Sequence, residues 1–147
     1  MGSDGIAIDP AKRLLYYCPL TSRHLYSVNL DALSDGKRSE AEVVKTVVDL
    51  GDKGGASDGL ESDSTGRVYA SDYEHNLIRV RDVNGQWRTL VEDPRMLWPD
   101  TLSLADGYLY FTCNQLHRQK QFNGGRDLRQ QPYLLFRVPV DARRLSP

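Results

Sequence analysis

Three aspartates recur at the same place in a repeated phrase of this sequence. Ser3-Asp4-Gly5 returns as Ser57-Asp58-Gly59 and, in a looser form, as Pro99-Asp100-Thr101. If the fold brings the copies together, their carboxylates converge, and such a cluster suits Ca²⁺ or another hard divalent cation that prefers oxygen ligands. It equally suits the amine of a small ligand, or general-base chemistry if a neighbouring like charge raises one pKa.

A purely structural role for these aspartates is the alternative. An Asp side chain at the entry to a strand can accept backbone N–H bonds and so cap the turn. The repetition favours this role, because every repeated unit needs its turn whereas a binding site needs asymmetry. Both roles stay open for Asp4, Asp58 and Asp100.

The elements that must position these aspartates are short strands. Each Asp opens a strand that is followed by a second, more apolar strand, and the intervals between the aspartates are 54 and 42 residues. A period of about 40–50 residues built from short strands is typical of a β-propeller blade. We therefore predict an all-β fold, a single unit over residues 1–147 with antiparallel blades at about 3–50, 57–93 and 99–140.

The first two blades are predicted to have four strands each and the third blade only three. The fourth strand of the first blade is predicted over Val43–Val48, a run of β-branched residues that follows a polar loop over 33–42. In the third blade the polar segment Asn114–Pro132 separates the last two strands. A connection of that length is usually functional or disordered, and we expect it to fold over one face of the propeller.

Three blades do not close a ring, since known propellers have about 4–8. An open half would expose an apolar blade face at each end, together with an unpaired strand edge. We therefore expect half of a six-bladed β-propeller, with its last blade incomplete, that is completed by association. The partner is either a second copy, giving a homodimer, or a missing N-terminal half.

Composition excludes some classes of partner. The formal net charge of −1 gives no electrostatic basis for binding nucleic acid or an anionic membrane surface. No stretch approaches the about 20 apolar residues that a membrane span needs. The residues that follow Met1 do not form the apolar segment that is typical of a secretion signal. The cellular compartment therefore stays undetermined.

The repeated phrases resemble the yellow/major royal jelly protein family, in the C-terminal half of its members. The resemblance covers Ser3 to about Val140 and implies a six-bladed β-propeller with a ligand tunnel near its axis. The residues that carry it are Ser3–Ala7 with Leu15–Ser22, Ser57–Leu60 with Gly66–Tyr69, and Trp98–Leu102 with Gly107–Tyr110 and Asn114–His117.

A more distant resemblance is to the gluconolactonase/regucalcin group, which is also six-bladed and carries a divalent metal site on the same inter-blade loops. It implies an Asp ligand at Asp58 and an Asn ligand at the position of Asp4, whose carboxylate is also an oxygen donor. Asp58 is therefore the preferred candidate for a metal or catalytic role, with Asp4 as a second metal ligand. The group's Glu ligand would lie outside this chain.

The third blade adds polar candidates for a ligand site. The family resemblance implies that Thr101, Asn114 and His117 lie near the tunnel mouth and hydrogen-bond a small molecule. The alternatives are a turn residue at Asn114 and an exposed loop histidine at His117. Trp98 either packs at its loop or faces the channel and stacks on an aromatic ligand.

Three functional hypotheses follow from these residues. The first is a small-molecule-binding propeller of the yellow/major royal jelly type, holding an aromatic or amine-bearing ligand in its axial tunnel. The second is a lactone hydrolase in which a divalent cation polarises the carbonyl and Asp58 helps to activate water. The third is a fragment of a longer propeller with no independent activity.

Overall fold

A computed structural model describes residues 2–140, so Met1 and residues 141–147 of the predicted unit lie outside the described residues. The chain forms three antiparallel sheets of four, four and three strands. Each sheet is one propeller blade, and its strands follow one another in sequence order from the inner to the outer edge. The predicted all-β fold of three blades, with the last one incomplete, is confirmed.

The first blade has two short helices between its third and fourth strands. Its elements are β1 (Ser3–Asp9), β2 (Leu14–Pro19), β3 (His24–Asn29), α1 (Leu30–Ser34), α2 (Glu40–Val44) and β4 (Val48–Asp52).

In the described part of the chain, the second and third blades consist of strands and two short 3₁₀ turns. The second blade consists of β5 (Leu60–Ser62), β6 (Val68–Asp72), β7 (Leu77–Arg81) and β8 (Trp87–Glu92). The third consists of β9 (Pro99–Ala105), β10 (Tyr108–Cys113) and β11 (Leu134–Pro139), with 3₁₀ turns at Leu116–Arg118 and Lys120–Phe122.

The strand predicted over Val43–Val48 is wrong. Residues 40–44 form helix α2, and the fourth strand begins only at Val48. The physical reason is a capping box: the Ser39 side chain accepts from the backbone of Glu42, and the Glu42 carboxylate accepts from the Ser39 backbone N–H at 2.8 Å. This local signal stabilises a helix start and outweighs the β propensity of the valines that follow.

Blade-to-blade packing forms the two hydrophobic cores. One cluster joins the first and second blades around Tyr16, Leu25 and Val68, and the other joins the second and third around Tyr69 and Phe111. The middle blade is therefore covered on both faces, and all residues of β6 are buried. Cys18 and Cys113 are free, buried thiols in different cores.

The inner strands β1, β5 and β9 lie side by side around the propeller axis. Two glycines allow this close approach. A Cβ atom on Gly5 would lie 2.9 Å from the carbonyl oxygen of Asp58, and one on Gly59 would lie 2.0 Å from the carbonyl oxygen of Asp100. The glycines of the first two repeated phrases therefore let the backbone of one inner strand pack directly against the aspartate of the next inner strand.

The long polar connection after β10 is ordered by an amide clamp. Gln115 is buried, its Nε2 donates to the carbonyl oxygen of Gln130 at 2.7 Å, and its Oε1 accepts from the Gln130 backbone N–H at 2.9 Å. This pair returns the loop to the end of the third blade. No helix among residues 2–140 is long and apolar enough to cross a membrane.

Candidate functional site

The three repeated aspartates meet in one groove. Asp4, Asp58 and Asp100 lie at the starts of the inner strands, and all of them line an open groove of about 360 Å³. Glu61 and Thr101 contribute to the same wall. Among the described residues that line this groove there are four carboxyl groups and no lysine or arginine. The groove is therefore an acidic surface at the axial end of the blades.

Asp58 is the most perturbed carboxyl group of the groove. It is half-buried, and burial raises the pKa of Asp58 to about 6. The hydrogen bond donated by Trp98 acts against this rise, whereas the neighbouring charges of Asp100 and Asp4 add to it. Asp58 therefore takes up a proton more readily than an isolated aspartate does.

A stack of aromatic rings holds Asp58 from one side. The indole Nε1 of Trp98 donates to Oδ2 of Asp58 at 2.6 Å. Tyr73 stacks on one side of the indole with ring centroids 3.9 Å apart, and His117 stacks with centroids 5.7 Å apart. Trp98 has a left-handed backbone with φ 62°, which is unusual for a bulky residue. This strain is compensated by the contacts that its ring makes.

The electrostatics of the stack leave it neutral near pH 7. Burial, assisted by the charge of Arg118, lowers the pKa of His117. Burial is also the main cause that raises the pKa of the Tyr73 phenol, whose hydroxyl donates to the carbonyl oxygen of Leu20 at 2.7 Å. The aromatic stack therefore adds no positive charge that would compete with a cation in the acidic groove.

Asp100 is held by its own blade. The side-chain amide of Asn114 donates to Oδ2 of Asp100 at 2.7 Å, and the Thr101 hydroxyl donates to Oδ1 at 3.3 Å. The Asn114 Oδ1 in turn accepts from the backbone N–H of Leu116 at 2.9 Å. Asn114 therefore orients Asp100 and fixes the start of the long loop.

The predicted site residues thus divide into two groups. Asp4, Asp58, Asp100 and Thr101 line the groove together. Asn114 is connected to the groove by its hydrogen bond to Asp100, and His117 by its stacking on Trp98. The hydrogen bonds described for Asp58 and Asp100 come from side chains, whereas the turn-capping role would draw them from backbone N–H groups.

Sequence reasoning missed Tyr73 and left the role of Trp98 open between loop packing and the channel. The Trp98 ring packs on Tyr73, as the packing alternative predicts, and its N–H donates to Asp58 in the groove. Trp98 stands directly before the repeat Pro99-Asp100, and that position could have indicated its place at the axial end. Nothing in the local sequence indicates the position of Tyr73, since its contact with Trp98 joins two blades.

The donor set does not complete a metal centre. Within residues 2–140, no group of three or more His, Cys, Asp or Glu side chains is arranged to hold a metal ion. Asp58 accepts a hydrogen bond from Trp98, which occupies one of its carboxylate oxygens. Ca²⁺ usually takes six to eight oxygen ligands. The described residues therefore do not by themselves fit the divalent cation that the distant resemblance implies.

Comparisons with known proteins identify a matching family and structures with a similar fold. A sequence profile described as major royal jelly protein matches residues 1–142. No curated protein sequence gives a significant match. Solved structures that are similar include a gluconolactonase from Xanthomonas campestris, with a TM-score of 0.68 and 22% sequence identity over 93% of this chain. They also include a calcium-binding protein, regucalcin, from Agrobacterium tumefaciens, with a TM-score of 0.63 and 17% identity over 94% of this chain.

A third similar structure is virginiamycin B lyase from Staphylococcus aureus, with a TM-score of 0.55 and 19% identity over 76% of this chain. The chain spans only 43%, 45% and 34% of the lengths of these three proteins, respectively. At such identities the likeness extends to the fold alone. It agrees with a chain that supplies part of a propeller ring.

Proposed function

Because the chain belongs to the major royal jelly protein family, we propose that it binds a small, amine-bearing molecule in the groove lined by Asp4, Asp58 and Asp100. The observation that carries this proposal is the convergence of carboxyl groups from three blades on one groove with no basic residue in its described lining. A protonated amine would form charge-assisted hydrogen bonds with these oxygens. It would also relieve the repulsion between the aspartates.

The aromatic stack supports a ligand that carries a ring beside its amine. Asp58 joins the groove to the stack through its bond with Trp98, and His117 is the exposed member of the stack. A planar group attached to the amine could stack on the exposed, neutral His117 ring. Aromatic pairs of this kind contribute about 0.5–1.5 kcal/mol beyond burial.

Metal-dependent lactone hydrolysis is the second hypothesis from the sequence. Its support is the similarity in fold to the gluconolactonase and the raised pKa of Asp58. The described residues supply too few ligands for the cation. A hydrolytic site would therefore need further donors from outside them. The third hypothesis is a fragment with no independent activity. Under this hypothesis the chain would bind a ligand only as part of a complete propeller ring.

The experiment that tests the proposal compares a matched pair of probes by isothermal titration calorimetry at pH 7.5. The probes are 2-phenylethylamine and 2-phenylethanol, which share a ring and differ in charge. We expect the amine to bind at least tenfold more tightly than the alcohol. Asp58→Asn should lose that preference, because the substitution removes a charge while keeping the shape and an acceptor for Trp98.

The control variant is Asp106→Asn, which removes the same charge from the exposed turn between β9 and β10. It should leave amine binding within about twofold of the wild type. Equal binding of amine and alcohol, or equal loss in both variants, would refute the amine proposal. A titration with CaCl₂ distinguishes the alternative, since Asp58-dependent calcium binding without amine binding would favour the metal hypothesis.

A further inference from the structure

A cavity of about 420 Å³ lies at the start of β11, where the long connection returns to the third blade. Its walls come from the end of β10, from the connection itself and from the first residues of β11, and they include Thr112, Asn114, Tyr133, Leu134 and Leu135. Cavities that hold small molecules in proteins usually measure about 300–1,000 Å³. This cavity is therefore large enough to take up part of a ligand.

The uncovered side chains in the cavity wall are apolar. Leu135 is 67% exposed and Tyr133 is 46% exposed, and Leu134 is also more than one-third exposed. Such side chains are stabilised when another apolar group removes them from water. The cavity therefore lacks an apolar occupant within the described chain.

The charged and amide groups of the wall are already engaged. Nε and Nη2 of Arg129 donate to the two carboxylate oxygens of Asp127 at 3.0 and 2.6 Å, so the guanidinium charge is balanced. Oε1 of Gln119 accepts from Nε2 of Gln121 at 2.6 Å. Burial raises the pKa of the Cys113 thiol to about 12, so this group is uncharged near pH 7. The wall therefore favours a hydrocarbon group over a charged one.

Asn114 connects this cavity to the acidic groove. Its side chain lines the cavity, and its Nδ2 donates to Oδ2 of Asp100 at 2.7 Å, which in turn lines the groove. Its Oδ1 accepts from the backbone N–H of Leu116 at 2.9 Å, so both ends of the amide are fixed. One side chain thus touches the carboxylate on one side and the apolar cavity on the other. A molecule with an ammonium group at one end and a hydrocarbon chain at the other would span the two.

We propose that the ligand is an amphiphilic amine, whose ammonium group binds at Asp58 and Asp100 and whose alkyl chain passes Asn114 into the cavity formed by Leu134 and Leu135. This inference rests on the proposed function, because it requires that the groove binds the ammonium group. It specifies the apolar part of the ligand. Stacking of a ring on His117 and burial of a chain in the cavity are separate requirements, and they can be measured separately.

The test is a chain-length series, measured by isothermal titration calorimetry at pH 7.5. The probes are n-butylamine, n-hexylamine and n-octylamine, and 2-phenylethylamine reports on the ammonium site without the chain. A buried methylene group strengthens binding about two- to fourfold. We therefore expect n-octylamine to bind at least about tenfold more tightly than n-butylamine. Asp58→Asn should weaken the binding of every amine in the series.

Two leucine variants locate the chain. Leu135→Ser removes apolar surface from the cavity and should reduce the preference for n-octylamine over n-butylamine to about threefold or less. Leu33→Ser is the matched control, because Leu33 is an exposed leucine on α1, outside the cavity wall. This variant should keep the preference of the wild type. Thermal unfolding checks that both variants are folded.

The outcomes separate this inference from the proposed function. Binding of 2-phenylethylamine that depends on Asp58, with equal affinities for the three alkylamines, would overturn the inference alone. A preference for n-octylamine that persists in Leu135→Ser would also overturn it, because the chain would then bind elsewhere. If that variant in addition weakens self-association in sedimentation velocity, the cavity serves a protein contact instead. Absence of binding for every amine would overturn both.

Discussion

At the scale of single residues, the pKa of the Asp58 carboxyl group is set by opposing influences that substitutions can separate. Burial and the charges of Asp100 and Asp4 raise its pKa, and the indole N–H of Trp98 acts in the other direction. The raised value of about 6 means that the group changes charge within the range in which proteins are usually handled. Asp58 therefore links stability, and the affinity for the proposed amine, to pH.

The first prediction concerns stability. The folded pKa of about 6 lies above the unfolded value of about 3.9, so the folded chain holds the proton more tightly and loses stability as pH rises from about 4 to 6. Asp58→Asn should remove this loss. Since the carboxyl is half-exposed, we expect a discounted gain of about 1 kcal/mol, or about 3 °C in Tm, at pH 7 and almost none at pH 4.

Thermal unfolding of both proteins at the two pH values measures this difference. Asp106→Asn serves as the control for removing a charge from an exposed turn. A gain of the same size for Asp58→Asn at pH 4 and pH 7 would contradict the assigned titration.

The second prediction concerns Trp98. Trp98→Phe removes the N–H that donates to Asp58 but keeps a ring between Tyr73 and His117. Without this donor the ionised carboxylate is less stabilised. The pH midpoint of 2-phenylethylamine binding should therefore rise by about half a pH unit or more. Trp87→Phe is the matched control, because the Trp87 N–H is buried with no hydrogen-bond partner among the described residues and the Trp87 ring packs on another cluster.

At the scale of elements, the blades are joined by backbone contact at the inner strands and by apolar side chains further out. The glycines of the first two repeats are required by this contact, and the capping box at Ser39 decides where the first blade becomes helical. Both features are short-range in sequence but act on the arrangement of whole strands. They determine how β1, β5 and β9 bring their aspartates together.

The third prediction tests the inner-strand contact. Gly59→Ala would place a Cβ 2.0 Å from the carbonyl oxygen of Asp100, and we expect a loss of about 2–3 kcal/mol in the free energy of unfolding. Gly5→Ala meets its neighbour at 2.9 Å and should cost less. Gly36→Ala is the control, since no atom lies within 4 Å of the added group. Urea denaturation measures all three, and an equal effect at positions 36 and 59 would contradict the argument.

The three-blade arrangement could be predicted from the sequence, because the repeated Asp4, Asp58 and Asp100 mark the starts of equivalent inner strands. The error at Val43–Val48 arose because propensity was read without the Ser39–Glu42 capping pair. The aromatic stack could not be derived, since Tyr73 and Trp98 meet only through packing between blades. The left-handed backbone of Trp98 has no signal in residue type.

At the scale of the whole molecule, the middle blade is the most protected part of the described chain. It contacts a neighbour on each face, and every residue of β6 is buried, whereas β4 has no buried residue. Within residues 2–140, no further blade covers the outer faces of the first and third blades. Local stability should therefore fall from the second blade towards both ends.

The fourth prediction follows from this distribution. Amide hydrogen exchange of the isolated chain should be slowest in Val68–Asp72 and at least about 100-fold faster in Val48–Asp52. Exchange followed by mass spectrometry or NMR measures it. Uniform protection in both strands would indicate that the three blades open only together.

The glycine-to-carbonyl joint has a consequence for how such a protein could diversify. Main-chain atoms make the joint, and the side chains at positions 4, 58 and 100 line the groove, with Asp58 adding a hydrogen bond from Trp98 of the next blade. Their chemistry can change while the scaffold is retained. A combinatorial library randomised at these three codons should therefore yield mostly folded chains with different ligand selectivity, whereas one randomised at the neighbouring glycine codons should not.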